Sequence, residues 1–364
     1  MTGHNFSYFS LLKMGKPKLL FIYKTPSSFV LKDRELLARN FEVVSFSFNP
    51  KKKILTPVEL LKELIFLLVH VWSSKAIVCE FADYHTLLPT LYGKLFNKPC
   101  YLILCGTECY SFPSINYGNH NKKLMSAATC FSIKNAAHVM PVHKSMVLSN
   151  YTYSDSDFLQ QGYKAFCKNV ETPFTEINYG YDSTLFFKTQ GLKKPNSFLT
   201  VAVNAKGSTF YRKGIDLIIE LAKQCPDYNF TLLGVKDELD HLQLTKNITL
   251  LSPVPHTELL NYYSQHEFYF QLSIAEGFPN ALCEAMLCEC IPIGSDVFGI
   301  PDIIGDTGFI LKKKDVALLK NLVDEAVKSD KSTLAKKARQ RIMENFPEEK
   351  REEKLVSVIK PEGL

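Results

Sequence analysis

Short apolar runs alternate with longer stretches of helical period along most of the chain. Four such runs lie in the first part of the sequence: KLLFIY (18–23), EVVSFSF (42–48), AIVCEF (76–81) and YLILC (101–105). Each is followed by a longer segment of helical period or capacity. Because continuous apolar strands that alternate with helices are typical of parallel sheets covered on both faces, this pattern predicts an open α/β sheet.

The alternation stops at the polar segment KTQGLKKPNS, which lies between Asp182 and Ser197 and is typical of a linker, and then starts again. Five further predicted strands follow: FLTVAV (198–203), FTLLGV (230–235), FYFQLS (268–273), IPIGS (291–295) and GFIL (308–311). We therefore predict two successive α/β domains, over 15–188 and 189–344, with a ligand cleft between the carboxyl ends of their strands.

Three helices of the second half are predicted from their own signals. One face of the helix in KGIDLIIELAKQC, which ends before Pro226, carries Ile215, Ile218, Ile219 and Ala222. The helix in HTELLNYYSQH is predicted to be capped by Thr257. The C-terminal segment KKARQRIMENFPEEKREEKL (336–355) is charged and has only a thin apolar stripe. Its charge pattern alone predicts a solvated terminal helix.

Length and composition limit the number of domains but do not identify a function. A length of 364 residues allows two domains of ordinary size, each with its own core. The formal charge of +6 and the pI near 8.6 are mildly basic. Such basicity fits an anionic small ligand, a weak affinity for nucleic acid and attraction to anionic lipid about equally well. The charge by itself therefore does not identify a partner.

The ten cysteines are spread thinly, and most of them lie inside apolar runs such as CYLILC. Buried free thiols have this distribution. There is no CxxC, and the closest clusters, Cys105 with Cys109 and Cys288 with Cys290, lack the second half of a zinc-ligand spacing. We therefore expect reduced thiols, a cytoplasmic protein and no metal site.

No stretch of the sequence reaches the roughly 18 to 20 apolar residues that a membrane span needs. The strongest candidate, LLKELIFLLVHVW (60–72), is interrupted by Lys62, Glu63 and His70. We predict that it forms a buried or surface-lying helix.

The N-terminus carries no recognisable cleavable signal. Its apolar run is broken by Lys13, and it shows no small-residue cleavage site. Met14 is an equally suitable start, which predicts that residues 1–13 are an extension of the folded chain.

The segment AEGFPNALCEAM (275–286) holds two glutamates on either side of a Gly-Phe-Pro-Asn break. Asn280 is a good N-cap for the helix that follows, so Glu276 lies in the loop and Glu284 just after the first helical turn. Backbone N–H groups at 278–282 would then form an anion site suited to a diphosphate.

The two glutamates admit two interpretations. The helical carboxylate can accept two hydrogen bonds from a vicinal diol such as a ribose, and the loop carboxylate can accept hydrogen bonds from a sugar. The alternative is that Glu276 is an exposed loop residue and Glu284 a solvated helix residue, neither with a function. The spacing alone favours this alternative.

Two cations, Arg212 and Lys213, precede Gly214 at another junction between a strand and a helix, in NAKGSTFYRKG. They would neutralise the same diphosphate and stabilise it as a leaving group, where negative charge grows in the transition state. The alternative is a basic loop tip without a function. Proximity to the loop of Glu276 would favour the functional interpretation.

These residues resemble a known family. EGFPNALCEAM followed by GSDVFGIPDIIGDTGFIL, with RKGIDLII upstream, is similar to the donor domain of the retaining GT-B glycosyltransferases of family four, the glycosyl transferases group 1, whose signature is two glutamates separated by seven residues. Sparser matches precede that domain: CGTE (105–108), NAAHVMPV (135–142) and TEINYGYDSTLFF (175–187). The resemblance is dense over 198–311 and sparse but ordered over 76–187.

The resemblance implies an α/β fold of GT-B type, with two Rossmann-like doubly wound domains and an interdomain cleft. It implies that the second domain binds a nucleotide-diphosphate sugar without a metal or other cofactor. It also implies that the C-terminal helix, 345–364, crosses back to pack on the first domain, against the solvated helix that its charge pattern predicts.

Transferred residue by residue, the resemblance gives each site residue a role. Glu276 would contact the transferred sugar, Arg212 and Lys213 would hold the diphosphate, and Glu284 would hold the ribose hydroxyls. The first three are the predicted catalytic residues. The predicted donor-binding residues are Lys206, Gly277, Phe278, Pro279, Asn280, Ala281 and Glu284.

Several positions depart from the family's pattern. Ser27 and Ser28 replace a Gly-Gly turn, Lys206 replaces an arginine, Glu289 replaces the glycine that ends the signature helix, and Pro301-Asp302 replaces Pro-Glu. A glutamate in place of that glycine predicts strain if the left-handed backbone is retained.

The acceptor side is predicted at strand ends of the first domain. Gly106, Thr107 and Glu108 follow one strand, and Ser27 with Ser28 follows another. Glu108 is the preferred acid among them. No motif marks four histidines that lie in the first domain, His85, His120, His138 and His143.

The sequence thus predicts a retaining hexosyltransferase that moves a sugar from a nucleotide-diphosphate donor to a hydroxyl acceptor, in polysaccharide or glycolipid biosynthesis at the cell surface. The alternatives are a nucleotide-sugar epimerase or phosphorylase of the same fold and a catalytically inactive donor-binding protein. The expected partners are the donor and a saccharide or lipid-linked acceptor, with peripheral membrane contact at the cytoplasmic face and no nucleic acid.

Overall fold

The computed structural model describes residues 15–155, 158–203 and 205–360, apart from the side chain of Lys53. The predicted extension over 1–13 lies outside the described residues. Two parallel sheets, one in each half of the chain, organise the fold. This confirms the predicted α/β class.

The first sheet has five parallel strands in the order β2-β1-β3-β4-β5. They are β1 Lys18–Tyr23, β2 Glu42–Ser47, β3 Ala76–Glu80, β4 Cys100–Leu104 and β5 His138–Pro141. The helices between them are α1 Ser28–Asn40, α2 Thr56–His70, α3 Leu87–Leu95 and α4 Lys123–Asn135. Because parallel crossovers are right-handed, α1 lies on one face of the sheet and α2, α3 and α4 lie on the other.

A small antiparallel pair and one short helix follow the first sheet. They are β6 Ser149–Asn150, β7 Gln160–Gln161 and α5 Tyr163–Phe166. A disulfide joins Cys130 in α4 to Cys167 just after α5. The prediction of reduced thiols is therefore wrong for this pair, because a tertiary contact across 37 residues leaves no signal in the sequence. The other eight cysteines are free, as expected.

The second sheet has six parallel strands in the order β10-β9-β8-β11-β12-β13. They are β8 Lys194–Val201, β9 Asn229–Leu233, β10 Ile248–Leu251, β11 His266–Gln271, β12 Ile291–Ser295 and β13 Phe309–Leu311. Phe198 stacks on Phe268, Phe270 and Phe230 with ring centroids 4.8, 5.0 and 5.3 Å apart. These stacked rings pack the central strands β8, β9 and β11 against one another.

The helices of the second domain follow its strands. They are α6 Ser208–Arg212, α7 Ile215–Gln224, α8 Lys236–Leu239, α9 Leu259–Gln265, α10 Asn280–Leu287, α11 Ile300–Ile304, α12 Val316–Lys328 and α13 Lys331–Asn345. The predicted cap at Thr257 is wrong, because Thr257 lies inside a 3₁₀ turn, His256–Glu258, and α9 begins only at Leu259.

The last helix, α14 Glu348–Ile359, leaves the second domain and packs against α1 of the first. Arg351 is only 2% exposed, and its guanidinium donates two hydrogen bonds to the carboxylate of Asp33 and one to the carbonyl of Ile177 at 2.7 Å. A Cβ on Gly180 would lie 2.7 Å from the Cα of Glu348, so a glycine allows this close approach. The solvated terminal helix predicted from charge is therefore wrong, because the charged face supplies a buried ion pair.

Within the described residues, no helix is both long enough and apolar enough to cross a membrane. The apolar segment 60–72 forms most of α2, which lies on the surface of the first domain.

Candidate active site

The carboxyl edges of the two sheets face each other, and the loops that follow β4 and β11 touch across the cleft. A Cβ on Gly277 would overlap the carbonyl oxygen of Cys105, and one on Gly106 would lie 3.6 Å from the backbone nitrogen of Gly277. Gly106 has a φ of +150°, which favours glycine. Two predicted site residues, one from each domain, therefore meet directly.

Glu276 lies in the loop after β11 and is held by two cations. Its Oε1 accepts hydrogen bonds from Lys213 Nζ at 2.5 Å and from Arg212 Nη1 at 3.1 Å. Burial raises the pKa of Glu276, but the charges of Lys213 and Arg212 outweigh this effect and hold the pKa below its usual range. Glu276 is therefore ionised near neutral pH and cannot act as a proton donor there.

The backbone ties the two cations to the loop of Glu276. The N–H of Ile274 donates to the carbonyl of Arg212 at 2.7 Å. Gly214 has a φ of +70°, and a Cβ there would overlap the carbonyl oxygen of Leu272. Only glycine fits this position, and its backbone places Arg212 and Lys213 against the end of β11.

Tyr117 of the first domain covers Arg212, a contact that no motif in the sequence predicts. The centre of the guanidinium lies 4.9 Å from the centroid of the Tyr117 ring. The hydroxyl of Tyr117 lies 3.2 Å from Oγ1 of Thr107, a predicted acceptor-side residue. Burial raises the pKa of Tyr117 to about 12, so its hydroxyl stays neutral. Its contact with Arg212 links the acceptor-side turn to the cations.

The helix α10 begins at Asn280, with Pro279 in extended conformation at the N-cap position. The prediction that Asn280 caps this helix is wrong, because its Oδ1 instead accepts a hydrogen bond from the hydroxyl of Tyr181 at 2.7 Å. The first backbone N–H groups of an α-helix lack partners within the helix, so they can bind an anion at this end.

Glu284 lies one turn into α10 and is nearly buried. Its Oε1 accepts from Nε2 of His256 at 2.8 Å, and its Oε2 accepts from the hydroxyl of Tyr263 at 3.0 Å. The hydrogen bond to Glu284 raises the pKa of His256 above its ordinary value. Tyr263 and His256 thus orient the carboxylate, and both were missed because only the folded chain brings them to it.

Glu284 lines a cavity of about 500 Å³ between the two domains. Ser28 and Lys32 of α1 line it from the first domain, and Asn280 and His256 line it from the second. Ser27 stands at the N-cap position of α1. The structure therefore brings Ser28, a predicted acceptor-side residue, to the same cavity as the predicted ribose ligand.

A second interdomain cavity, of about 850 Å³, lies beside Arg212 and Glu276. Tyr211 precedes Arg212, and Ile274 lies two residues before Glu276; both line this cavity. Tyr151 is one of the lining residues contributed by the first domain, and its hydroxyl donates to the carbonyl of Ile274 at 3.1 Å. Arg212, Lys213 and Glu276 line neither of these two cavities, and the contact of Arg212 with Tyr117 places their cluster between the domains.

Two predicted site residues lie apart from this cluster. Lys206 is exposed and lines a separate depression with Phe210 and Asp237. Glu108 is buried inside the turn after β4, where its Oε1 accepts from the N–H of Cys105 at 2.5 Å. Burial raises the pKa of Glu108 to about 7. The roles predicted for these two residues stay predictions.

A further interdomain contact involves His143, which no sequence motif marks. Its Nε2 lies 3.1 Å from Oδ2 of Asp302, and its Nδ1 lies 2.8 Å from the hydroxyl of Ser145. Lys144 also binds Asp302, at 2.9 Å. The aspartate at the family's Pro-Glu position therefore joins the two domains.

Glu289 follows α10 in the left-handed region, with a φ of 60°. A glutamate here carries the strain expected where the family has glycine. Its carboxylate lies 3.8 Å from Nζ of Lys188.

Two Rossmann-like domains that face each other across a cleft define the GT-B fold. A HepE structure from Anabaena, in complex with UDP and glucose, superposes with a TM-score of 0.69 at 14% identity and covers 94% of this chain and 99% of that one. This likeness shows the fold.

Residues 186–348 match the family model of the glycosyl transferases group 1. The match covers less than half of the chain, and it shows that the second domain is similar to this family of glycosyltransferases.

Curated relatives match the chain over part of their length. One component of the human phosphatidylinositol N-acetylglucosaminyltransferase is 30% identical over 128 residues, which are 32% of this chain and 26% of the relative. The N-acetyl-alpha-D-glucosaminyl L-malate synthase of Bacillus anthracis is 26% identical over 205 residues, 52% of each chain. The chain thus spans about a quarter of the human relative and half of the bacterial one.

Proposed function

We propose that this protein is a retaining glycosyltransferase that moves a hexosyl group from a nucleotide-diphosphate sugar to the hydroxyl of a saccharide or lipid-linked acceptor. The observation that carries the proposal is the cluster of Arg212, Lys213 and Glu276 in the interdomain cleft, with Glu284 held in a neighbouring cavity. The match of residues 186–348 to the family model of the glycosyl transferases group 1 supports the same chemistry.

The donor would lie along the cleft with its ribose on Glu284. His256 and Tyr263 each donate a hydrogen bond to one oxygen of that carboxylate, which lines the cavity and keeps further acceptor capacity on both oxygens for the ribose hydroxyls. The diphosphate would bind Arg212, Lys213 and the first N–H groups of α10. UDP is the first nucleotide to test, because the HepE neighbour binds UDP.

In the reaction, the acceptor oxygen forms a bond to the anomeric carbon while the bond from that carbon to the diphosphate oxygen breaks. Arg212 and Lys213 would stabilise the charge that develops on the leaving diphosphate, a contribution that is typically worth about 10² to 10³ in rate for one preorganised donor. Attack from the face that the leaving group vacates gives retention. The hydroxyl proton passes to the departing phosphate oxygen.

Glu276 has a different role from Glu284 in this account. Its lowered pKa keeps it ionised, so it would contact the sugar hydroxyls as a hydrogen-bond acceptor rather than donate a proton. Because two side-chain cations serve the diphosphate, we expect turnover without a divalent metal. A chelator should leave the rate unchanged.

A thermal-shift screen against UDP, GDP, ADP and dTDP sugars tests donor binding, because a ligand that binds the folded state raises the midpoint by mass action. Slow hydrolysis of the donor that shifts the midpoint would support transfer chemistry. Binding without hydrolysis, and without transfer to any acceptor, would favour an inactive donor-binding protein. Conversion of the donor to its epimer, or release of a sugar phosphate, would favour the epimerase or the phosphorylase.

We also propose that the protein acts at the cytoplasmic face of the membrane, in cell-surface polysaccharide or glycolipid biosynthesis. The names of the relatives join N-acetylglucosamine to phosphatidylinositol in one case and to L-malate in the other. Fractionation of cells that produce the protein tests the location. Recovery of the protein with the cytoplasmic or the membrane fraction would agree with the proposal. Recovery from a compartment that the membrane separates from the cytoplasm would contradict it.

A further inference from the structure

The outward face of α2 and its flanking turns carries a stripe of large apolar side chains. Steps of four and three residues separate Ile54, Val58, Leu61, Ile65, Leu68 and Trp72. Their exposed fractions lie between 45% for Leu68 and 82% for Ile54. This is the spacing of one helical face, so the stripe is continuous along the helix.

The helix α2 is apolar on its outward face as well as on its inward face. On the inward face Leu67 and Glu63 are fully buried, and burial raises the pKa of Glu63 to about 9, so that its side chain is neutral. A helix that faces water normally buries its apolar stripe and exposes its polar residues. The apolar stripe of α2 therefore needs an explanation outside the folded domain.

The apolar surface continues across the neighbouring helices of the same layer. Leu95 of α3 is 70% exposed and Leu124 of α4 is 78% exposed. The α3 helix packs against both α2 and α4, and the ring of Trp72 lies 4.6 Å from that of Phe96. The surface is thus a broad face of three helices rather than a groove for one peptide.

The exposed charged residues on this layer have one sign. Exposed lysines include Lys51, Lys52, Lys62, Lys94, Lys123 and Lys134. None of the five carboxylates between residues 51 and 135 is exposed: Glu63, Glu80, Asp83 and Glu108 are buried, and Glu59 is bound to Lys62 at 2.7 Å. An apolar face bordered by lysines matches an anionic lipid surface, where the helix lies in the interface.

We propose that the face formed by α2, α3 and α4 rests on the surface of an anionic membrane, with the stripe of α2 inserted among the lipid headgroups. The lysines around it would bind the phosphates, and Trp72 would lie at the headgroup level that tryptophan prefers. This inference rests on the membrane location given under the proposed function and names the surface responsible for it, but it depends on none of the donor-site residues.

Trp72 is the only tryptophan of the chain, so its fluorescence reports this face alone. We expect its emission to shift to shorter wavelength when the full chain meets vesicles of phosphatidylcholine mixed with phosphatidylglycerol. The protein should also sediment with these vesicles. Vesicles of phosphatidylcholine alone should bind at least about tenfold less protein, because the lysine contribution is lost. No shift and no sedimentation with the mixed vesicles would overturn the proposal.

Two variants separate the apolar and the charged contributions. Leu61→Gln with Ile65→Gln and Leu68→Gln removes the middle of the stripe and should reduce binding to the mixed vesicles at least about tenfold. Lys51→Gln with Lys52→Gln and Lys62→Gln should weaken it by about a hundredfold, or about fivefold for each lysine. Both variants keep Trp72 as the reporter.

The matched control changes three exposed apolar residues of the second half of the chain. Leu192→Gln with Leu318→Gln and Met343→Gln alters side chains that are 98%, 46% and 43% exposed. This control should bind the mixed vesicles like the parent protein. An equal loss in the control would overturn the proposal, because it would show that binding is not specific to this face.

A second copy of the chain is the competing occupant. If the parent protein is a dimer by sedimentation velocity, does not bind the mixed vesicles and becomes a monomer in the stripe variant, the face joins two copies and the proposal fails. The thermal shift caused by a donor nucleotide should be the same in all variants. That readout keeps failure of this proposal distinct from failure of the proposed function.

Discussion

Replacement of Glu276 by glutamine should have opposite effects on stability and on binding of UDP. The side chains of Glu276, Arg212 and Lys213 are only 15%, 17% and 20% exposed. Glu276→Gln leaves two cations in this setting without their carboxylate. Loss of one partner from a buried ion pair costs about 3 to 5 kcal/mol, and the partial exposure places this variant near about 3 kcal/mol.

The diphosphate of UDP can replace the missing charge. In the parent protein, UDP must displace Glu276 from Arg212 and Lys213, whereas in Glu276→Gln it meets two cations without an ionised partner. One charge-assisted contact that no longer has to be broken corresponds to a roughly tenfold gain in UDP affinity. Turnover should nevertheless fall, because the variant loses the carboxylate that contacts the sugar.

Thermal unfolding without ligand and titration calorimetry with UDP measure the two effects. Glu267→Gln is the control, because Glu267 binds Lys331 at 2.8 Å and its side chain is 17% exposed. The control should lose stability without any gain in UDP affinity. The account would be refuted if Glu276→Gln were as stable as the parent and bound UDP no more tightly.

Substitutions at three further positions test particular contacts. Tyr117→Leu should lower turnover about three- to tenfold because it removes the ring over Arg212, and Tyr117→Phe should restore the rate; equal losses in both would contradict the contact. Glu289→Gly should raise stability by up to about 1 kcal/mol, because glycine relieves the left-handed backbone, whereas Glu289→Ala should not; a gain with alanine would exclude this reason. The pKa of His256 is raised above 6.5 by Glu284, so its stabilising contribution is present below pH 6.5 and is lost as the pH rises through the folded pKa. The difference in melting temperature between the parent and His256→Asn should therefore shrink toward alkaline pH, and a pH-independent difference would contradict this.

Most of the fold could be predicted because its strands are continuous apolar runs. KLLFIY coincides with β1, Lys18–Tyr23, and IPIGS coincides with β12, Ile291–Ser295. The strand β10, Ile248–Leu251, was missed, because its four residues are only partly buried or exposed and lie at the edge of the sheet. The predicted linker was partly wrong, because β8 already begins at Lys194.

Residues of the candidate site could be proposed from the sequence only where they lie together in one short segment with a recognisable spacing. Glu276 and Glu284 share such a segment, and the glycine after Arg212 and Lys213 marks the second junction. Tyr117 is separated from its partner by many residues and reaches it only when the two domains meet. Such contacts leave no local period or spacing in the sequence.

The prediction for Asn280 failed for a related reason. Asparagine is a good N-cap by local propensity, but the Tyr181 hydroxyl engages its side chain from the connection between the domains. A tertiary hydrogen bond here overrides the local preference. The helix still begins at this residue, so the expected position of the anion site is unchanged.

The central claim is that Arg212 and Lys213 stabilise a leaving diphosphate during sugar transfer with retention. Its most direct test compares the parent protein with Arg212→Ala, Lys213→Ala, using the donor found by thermal shift and NMR to follow the anomeric configuration of the product. The control is Lys223→Ala, Lys328→Ala, which removes two exposed lysines at the helix ends remote from the cleft. We predict a product with the donor's configuration, a fall in rate of at least about 10²-fold in the double variant and a normal rate in the control. An inverted product, or an unchanged rate without Arg212 and Lys213, would contradict the account.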